Sequence, residues 1–342
     1  MSLFKAYALT FEPQLFERVW GGRSLERFGK RVPPGEPIGE SWEISDVEGA
    51  PSRITRGAYA GSTMRDLMES HAAPLVGEHG PCKQFPLLLK ILDARDDLSI
   101  QVHPSDDDLR RAGSSMAGKT EAWVILEAEP GAKIIHGLAP GATRTRLYRR
   151  LAELGGGPFE ACEAESFFRW VSVVPGDVVY IPAGTIHALG SGILLLEIQE
   201  TSDVTYRIHD WGRMGTDGKP RRLHVEAAWG IAEPEVVPCP VARIGANRGP
   251  GGPAGFTCLM ECSHFRVEHA FLGPDIRAST LEEGPGFHIL AGHGGCVLYR
   301  GPDGDRLEIR PGDSVLLPAA LGRYELAAAH GCAGILRFRA GA

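Results

Sequence analysis

The chain has no apolar run approaching the ~20 residues that a bilayer-spanning helix needs. Its amino terminus, MSLFKAYALTFEPQLFERVWGG, lacks the apolar core of a secretory signal. A soluble, cytoplasmic protein without membrane contact is therefore expected. Positive charge is also in deficit: 36 Lys and Arg stand against 43 Asp and Glu, a formal net charge of -7. That balance argues against a nucleic-acid surface, and any anionic ligand must find a local cluster of arginines and lysines. The seven cysteines, at 82, 162, 239, 258, 262, 296 and 332, include no CxxC pair. A zinc knuckle is thereby excluded, and reduced, mostly buried thiols are expected.

What is present points to sheets. Glycine (44) and proline (25) are abundant, as in proteins of many short strands and tight turns. The 342 residues suffice for two domains, and 43% hydrophobic with 23% charged content is ordinary for a folded globule. FPLLLKILDARDDLSIQVHP (85–104) and EAWVILEAEPGAKIIHGL (121–138) each show two apolar runs around a turn and read as hairpins. Between them SDDDLRRAGSSMAGKT is a polar loop with one helical turn, capped by Ser105 or Asp106. TRTRLYRRLAEL (143–154) has Leu147, Leu151 and Leu154 at helical spacing, with arginines on a solvated face.

One frame occurs twice. PGDVVYIPAGTIHAL (175–189) and PGDSVLLPAALGRY (311–324) share Pro-Gly-Asp and a second proline seven positions on, but His187 of the first is Arg323 in the second. GANRGPGGPAG (245–255) carries no apolar periodicity and marks a linker. The expected organisation is a metal-binding unit over 1–240, a linker over 241–255 and a second, metal-free barrel over 256–342.

Gly176, Pro182, Gly184 and His187 fit G-x5-P-x-G-x2-H, which resembles the second motif of the cupin barrels. Gln101 and His103, two apart in an extended run, share a face, and Glu121 adds a hard oxygen at the head of a strand. Imidazoles and a carboxylate with an open position suit catalytic Zn2+, and equally Mn2+, Fe2+ or Co2+. Together LSIQVHPSD, GKTEAW, PGDVVYIPAGTIHAL, EIQETSDVTYRIHDWGR, VWGG and IGESWEIS resemble the class I mannose-6-phosphate isomerases in their compact bacterial form, over residues 15 to about 230.

That resemblance implies a mainly β fold of two cupin-type (jelly-roll) β-barrels, with a few short helices between strands of the first. It also implies interconversion of mannose 6-phosphate and fructose 6-phosphate through an enediol, with one Zn2+ held by Gln101, His103, Glu121 and His187. Arg207, Glu197 and Asp203 match further active-site positions. Lys119 and Lys90 are the next candidates, for binding phosphate or moving protons. Gly118 stands where some relatives carry a histidine, so no role passes to it. An Fe2+ cupin oxygenase and a non-catalytic sugar-phosphate-binding cupin are the rival readings. A monomer or weak homo-oligomer is expected.

Overall fold

Strand Leu87–Ala94 is buried along its whole length, and alternation sorts its side chains into two cores. Leu87, Leu89 and Ile91 point outward, into a cluster shared with Phe265, Val267, Leu336 and Phe338 far along the chain. Leu92 and Ala94 point inward, against Trp123, Ile125 and Leu195. Its neighbours repeat the scheme: Leu194, Leu196 and Ile198 face outward, as do Ala122 and Val124. A continuous apolar run here means a sheet covered on both faces. Each such aliphatic side chain contributes about 1.5–3 kcal/mol by burial, so a charge at the fully buried Leu89 would separate the two halves of the molecule.

The computed structural model describes residues 3–77, 82–233, 238–245, 255–273, 277–279 and 286–341. Its large sheet has seven antiparallel strands in the order Gln14–Gly22, Ile38–Ile44, Leu87–Ala94, Ile193–Glu200, Glu121–Ala128, Asp177–Ile181 and Ala242–Arg243. Facing it are five strands in the order Tyr206–His209, Ile100–Val102, His187–Leu189, Lys133–Leu138 and Phe168–Ser172. A second pair, of five and four strands, is built from residues 257–340. Each pair is a jelly-roll formed by two open sheets, so the fold is mainly β and of the cupin type.

Both expected hairpins are corrected. Leu87–Ala94 lies in the large sheet and Ile100–Val102 in the facing one, and Glu121–Ala128 and Lys133–Leu138 are divided in the same way. The turns at Arg95 and Pro130 carry the chain across the core. Two runs with one apolar face look alike whether they pair within a sheet or face each other, which is why local pattern misassigned them. The linker's centre, 246–254, lies outside the described residues. Within its first part, Ala242 and Arg243 pair with Val178 and Asp177 as the edge of the large sheet. At the other end of the chain, Leu9 bridges to Leu316 and Ala8 joins the interior core of the second sheet pair.

Helix Arg144–Leu154 forms as expected, capped by Thr143 and burying Leu147 and Leu151. Ser105 is the cap of Asp106–Arg111, with Asp108 completing a capping box. Helices Met64–Val76, Ala161–Phe167 and Val225–Ile231 were not read from the sequence. Among the described residues no helix is long and apolar enough to cross a membrane. The cysteines are free as expected; Cys82, Cys239, Cys262 and Cys296 are partly buried, and Cys162, Cys258 and Cys332 are exposed, which corrects the expectation of burial for those three.

Candidate active site

The alternation that sorts the cores also selects the polar residues that enter the first barrel. On four successive strands of the large sheet, Trp42, Lys90, Glu197 and Trp123 stand opposite one another. Across the facing sheet Arg207, Gln101 and His187 are successive partners in the same way. A cavity of about 400 Å3 is lined by members of both rows together with Lys119 and Asp203.

At the base of the barrel, His103, Glu121 and His187 bring one ligand atom each within 4.8 Å of the others, and all three are buried. The repeated Pro-Gly-Asp frame supplies the geometry. Gly184 adopts φ +85°, a conformation open to glycine. Its N–H donates to the His103 carbonyl at 2.8 Å, while Thr185 N–H closes the turn onto the Pro182 carbonyl at 3.1 Å. One turn therefore delivers His187 and grips the strand end that carries His103.

Each imidazole is oriented through its far nitrogen. Nδ1 of His187 donates to the Thr185 carbonyl and Nδ1 of His103 to the Val204 carbonyl, both at 2.9 Å. Nε2 is thus the lone-pair nitrogen in both rings. Burial brings the His187 pKa down to about 3 and holds that of His103 well below the usual value, so both are neutral ligands at neutral pH. Their Nε2 atoms lie 3.3 Å (His187) and 3.5 Å (His103) from the two oxygens of Glu121.

Neither Glu121 oxygen receives a well-aligned hydrogen bond, although the Lys119 ammonium is 2.9 Å from Oε2. With one ammonium beside it and no well-aligned hydrogen bond, this buried carboxylate is incompletely compensated, and a divalent cation between it and the two neutral imidazoles would complete the compensation. The Gln101 amide nitrogen is 3.3 Å from His187 Nε2. Half a turn of the amide presents its oxygen there instead. The donor set fits a divalent metal.

Lys119 also lies 3.2 Å from His103 Nε2. Burial lowers its pKa, but Glu121 and Glu197 outweigh burial and raise it, so it is a fixed cation. Lys90 points into the pocket, 3.4 Å from Glu197 Oε1, 3.8 Å from Glu40, 3.9 Å from Asp203 and over the Trp42 ring at 4.9 Å. Glu197 accepts from Trp123 Nε1 at 3.0 Å through Oε2, and its buried Oε1 has no hydrogen bond. Burial and then Glu121 raise its pKa. Asp203 is half-exposed at the cavity mouth. Arg207 donates to the Arg222 carbonyl at 3.1 Å, while its buried Nε has no partner.

Sequence reasoning did not single out Glu40, Arg18 or Arg221, which line the same cavity. Glu40 accepts from Arg18 Nε at 2.6 Å and Trp42 Nε1 at 2.7 Å. Burial raises its pKa, but Lys90 and Arg18 bring it down to about 2. Glu40 lies within IGESWEIS, where alternation through Trp42 was the available signal. Arg221 is paired with Asp210 and stands on a loop without periodicity.

Residues 9–123 match the family described as phosphomannose isomerase type I, catalytic domain. The chain is 35% identical over 322 residues to the mannose-6-phosphate isomerase ManA of Bacillus subtilis, covering 93% of this chain and 95% of that protein. It is 37% identical over 338 residues to the mannose-6-phosphate isomerase of Streptococcus mutans, covering 95% and 98%. The crystal structure of the mannose 6-phosphate isomerase from Bacillus subtilis superposes with a TM-score of 0.81 at 30% identity, over 97% of this chain and 99% of that one. Likeness over nearly the whole length, on a fold that converges two imidazoles and a buried carboxylate, means that the chain belongs to the type I phosphomannose isomerase family.

Proposed function

We propose that the chain interconverts mannose 6-phosphate and fructose 6-phosphate through an enediol, in the barrel formed by residues 1–240. The observation that carries this reading is the cavity between the two facing rows, with Gln101 and Lys119 in its lining and the buried trio of Glu121, His103 and His187 directly beside them. His103, Glu121, His187 and the Gln101 amide would hold one divalent metal, zinc being the ion that best suits two imidazoles and a carboxylate. When bound, that ion acts as a Lewis acid for negative charge developing on the sugar oxygens.

The protein's own groups do the rest. Arg207, with a free Nε and no carboxylate partner among the described residues, binds the phosphate bidentately. Lys119 is a fixed positive charge beside Glu121 and His103, suited to holding a developing oxyanion. Glu197 carries the proton between the sugar's two reacting carbons: its Oε1, 3.4 Å from the Lys90 ammonium, accepts no hydrogen bond, and Trp123 fixes its orientation through Oε2. Lys90 holds Glu197 in place from the opposite strand, and Asp203 closes the mouth. Residues 256–342 are proposed as a metal-free structural barrel joined through 241–255. The proposed setting is cytoplasmic, with no nucleic-acid partner and a monomeric or weakly associating chain.

Metal analysis coupled to an isomerase assay across hexose 6-phosphates tests the reading. Turnover of mannose 6-phosphate that disappears on chelation and in His103→Ala supports it. Arg207→Ala is expected to raise KM for the phosphorylated sugar and to weaken inhibition by inorganic phosphate. A metal-replete chain that leaves mannose 6-phosphate unchanged would sink the proposal.

A further inference from the structure

Behind the segment that carries Lys119 and Glu121, three side chains converge from separate elements. Asp106 opens the short helix Asp106–Arg111, Glu200 ends strand Ile193–Glu200, and His264 lies in the turn between Thr257–Glu261 and Phe265–Leu272 of the second sheet pair. Their ligand atoms fall within 4.8 Å of one another. Such a trio can hold a cation, but these carboxylates are already engaged. Asp106 Oδ1 accepts from Gly118 N–H at 2.7 Å, and Glu200 Oε2 accepts from Thr120 N–H at 2.8 Å. The other oxygen, Glu200 Oε1, lies 3.1 Å from His264 Nδ1.

The segment is also held by its own backbone. Lys119 N–H donates to the Pro104 carbonyl at 3.0 Å, and Glu200 N–H to the Thr120 carbonyl at 3.2 Å. A Cβ on Gly118 would stand 2.6 Å from the Asp106 nitrogen, so glycine is what lets the two stretches meet. Thr120 sits between Lys119 and Glu121, and the carboxylate that fixes its N–H is oriented by a residue of the other barrel.

We infer that His264 is a positioning residue for the active site: by donating to Glu200 it holds that carboxylate on Thr120 N–H, and so fixes where Lys119 and Glu121 stand. The inference rests on the reading of those two residues as site groups. It gives the second barrel a part in the chemistry without a ligand of its own. Neighbours one step removed from a catalytic group commonly change activity about 10- to 100-fold, and His264 acts through one further residue.

His264 is about one-third exposed (32% of its side chain), so its removal leaves no core cavity. His264→Ala is expected to lower kcat about tenfold with KM little changed, and to speed hydrogen–deuterium exchange at the Thr120 amide. His264→Asn, whose amide nitrogen stands in the place of the imidazole Nδ1 and can still donate to Glu200, should restore both. In a Glu200→Gln background, His264→Ala should add little further loss, because the two act in series. Either a kcat within about twofold of wild type or an unchanged Thr120 exchange rate overturns the inference. An inactive wild-type chain would instead overturn the functional reading, and the exchange rate remains readable on that protein.

Discussion

Replacing Lys90 by methionine keeps most of the side chain's volume and deletes its charge. In the native chain that ammonium lies within 4 Å of Glu197, Glu40 and Asp203, and it is only 3% exposed. Glu40 measures part of its effect. The drop from an ordinary 4.5 to about 2 is a gap of about 2.5 pH units, which at about 1.4 kcal/mol each is roughly 3 kcal/mol. Burial opposes that drop, so the two cations and the Trp42 N–H together contribute more than the net figure. Arg18 stays on Glu40 in the variant, whereas Glu197 loses its facing cation. A loss of about 3 kcal/mol at pH 7.5 is expected, at the lower end of what breaking a buried pair costs.

The pH dependence has a definite sign. A carboxylate whose folded pKa is depressed contributes stability that is complete above its unfolded value of about 4.5 and is lost as pH falls towards about 2. The gap between wild type and Lys90→Met should therefore be largest at neutral pH and narrow as pH falls, beginning above the ordinary carboxylate value because Glu197, already raised by burial, loses a cation that lowers it. Urea unfolding followed by tryptophan fluorescence reads this directly, since Trp42 and Trp123 border the site. Lys133→Met, at an exposed strand position, serves as control and should stay within about 0.5 kcal/mol of wild type. A gap under about 1 kcal/mol at pH 7.5, or one unchanged between about pH 5 and 3.5, refutes the reasoning.

Three further outcomes are expected. Chelation should lower Tm, and one equivalent of Zn2+ should restore it, because without the ion the buried Glu121 has the Lys119 ammonium beside it but no well-aligned hydrogen bond; saturation at about 1,000 times Kd corresponds to about 4 kcal/mol. Gly118→Ala should cost about 1–3 kcal/mol in urea titrations and reduce kcat, because its Cβ meets the backbone of Asp106 and Ser105; a fully stable variant would contradict the close approach. The Glu200 hydrogen bond raises the His264 pKa, against burial, with Asp106 also facing the ring. Its stabilisation is therefore full below the unfolded value of about 6.5 and lost as pH rises through the folded one. The Tm difference between wild type and His264→Ala should accordingly be largest in mildly acid buffer and vanish in alkaline buffer.

The parts of the site that were legible in the sequence lie within one strand or one turn. Gln101 and His103 declare a shared face by their spacing, and the frame from Gly176 to His187 declares a turn that ends in a histidine. The orientation of Lys90 was open as a single residue, yet it follows once Leu87, Leu89 and Ile91 are known to face the other barrel. Glu40 and Arg18 were not legible as partners, because their neighbours come from strands distant in sequence. The spatial order Ile38–Ile44, Leu87–Ala94, Ile193–Glu200, Glu121–Ala128 is a property of the jelly-roll and not of any local run. Helix Met64–Val76 escaped notice because Pro74 and a non-helical His71 interrupt its pattern.

The two Pro-Gly-Asp frames differ less in mechanics than in cargo. In the first barrel the turn's backbone is presented to a neighbour: Gly184 N–H grips the strand end that bears His103. In the second the same kind of presentation occurs with a carbonyl. Gly312 oxygen accepts from Lys30 Nζ at 2.8 Å, and that buried ammonium also pairs with Glu43 at 2.7 Å, to which Ser314 Oγ donates at 3.5 Å. The second frame therefore ties its barrel to the first by hydrogen bonds to a buried ion pair of that first barrel, a contact that requires the turn but no histidine. Arg323, at the position of His187, is exposed, while His288 turns to the Tyr324 hydroxyl at 2.9 Å. Both copies use the Pro-Gly-Asp turn, and of the two frames only the first places an imidazole beside a second histidine and a buried carboxylate.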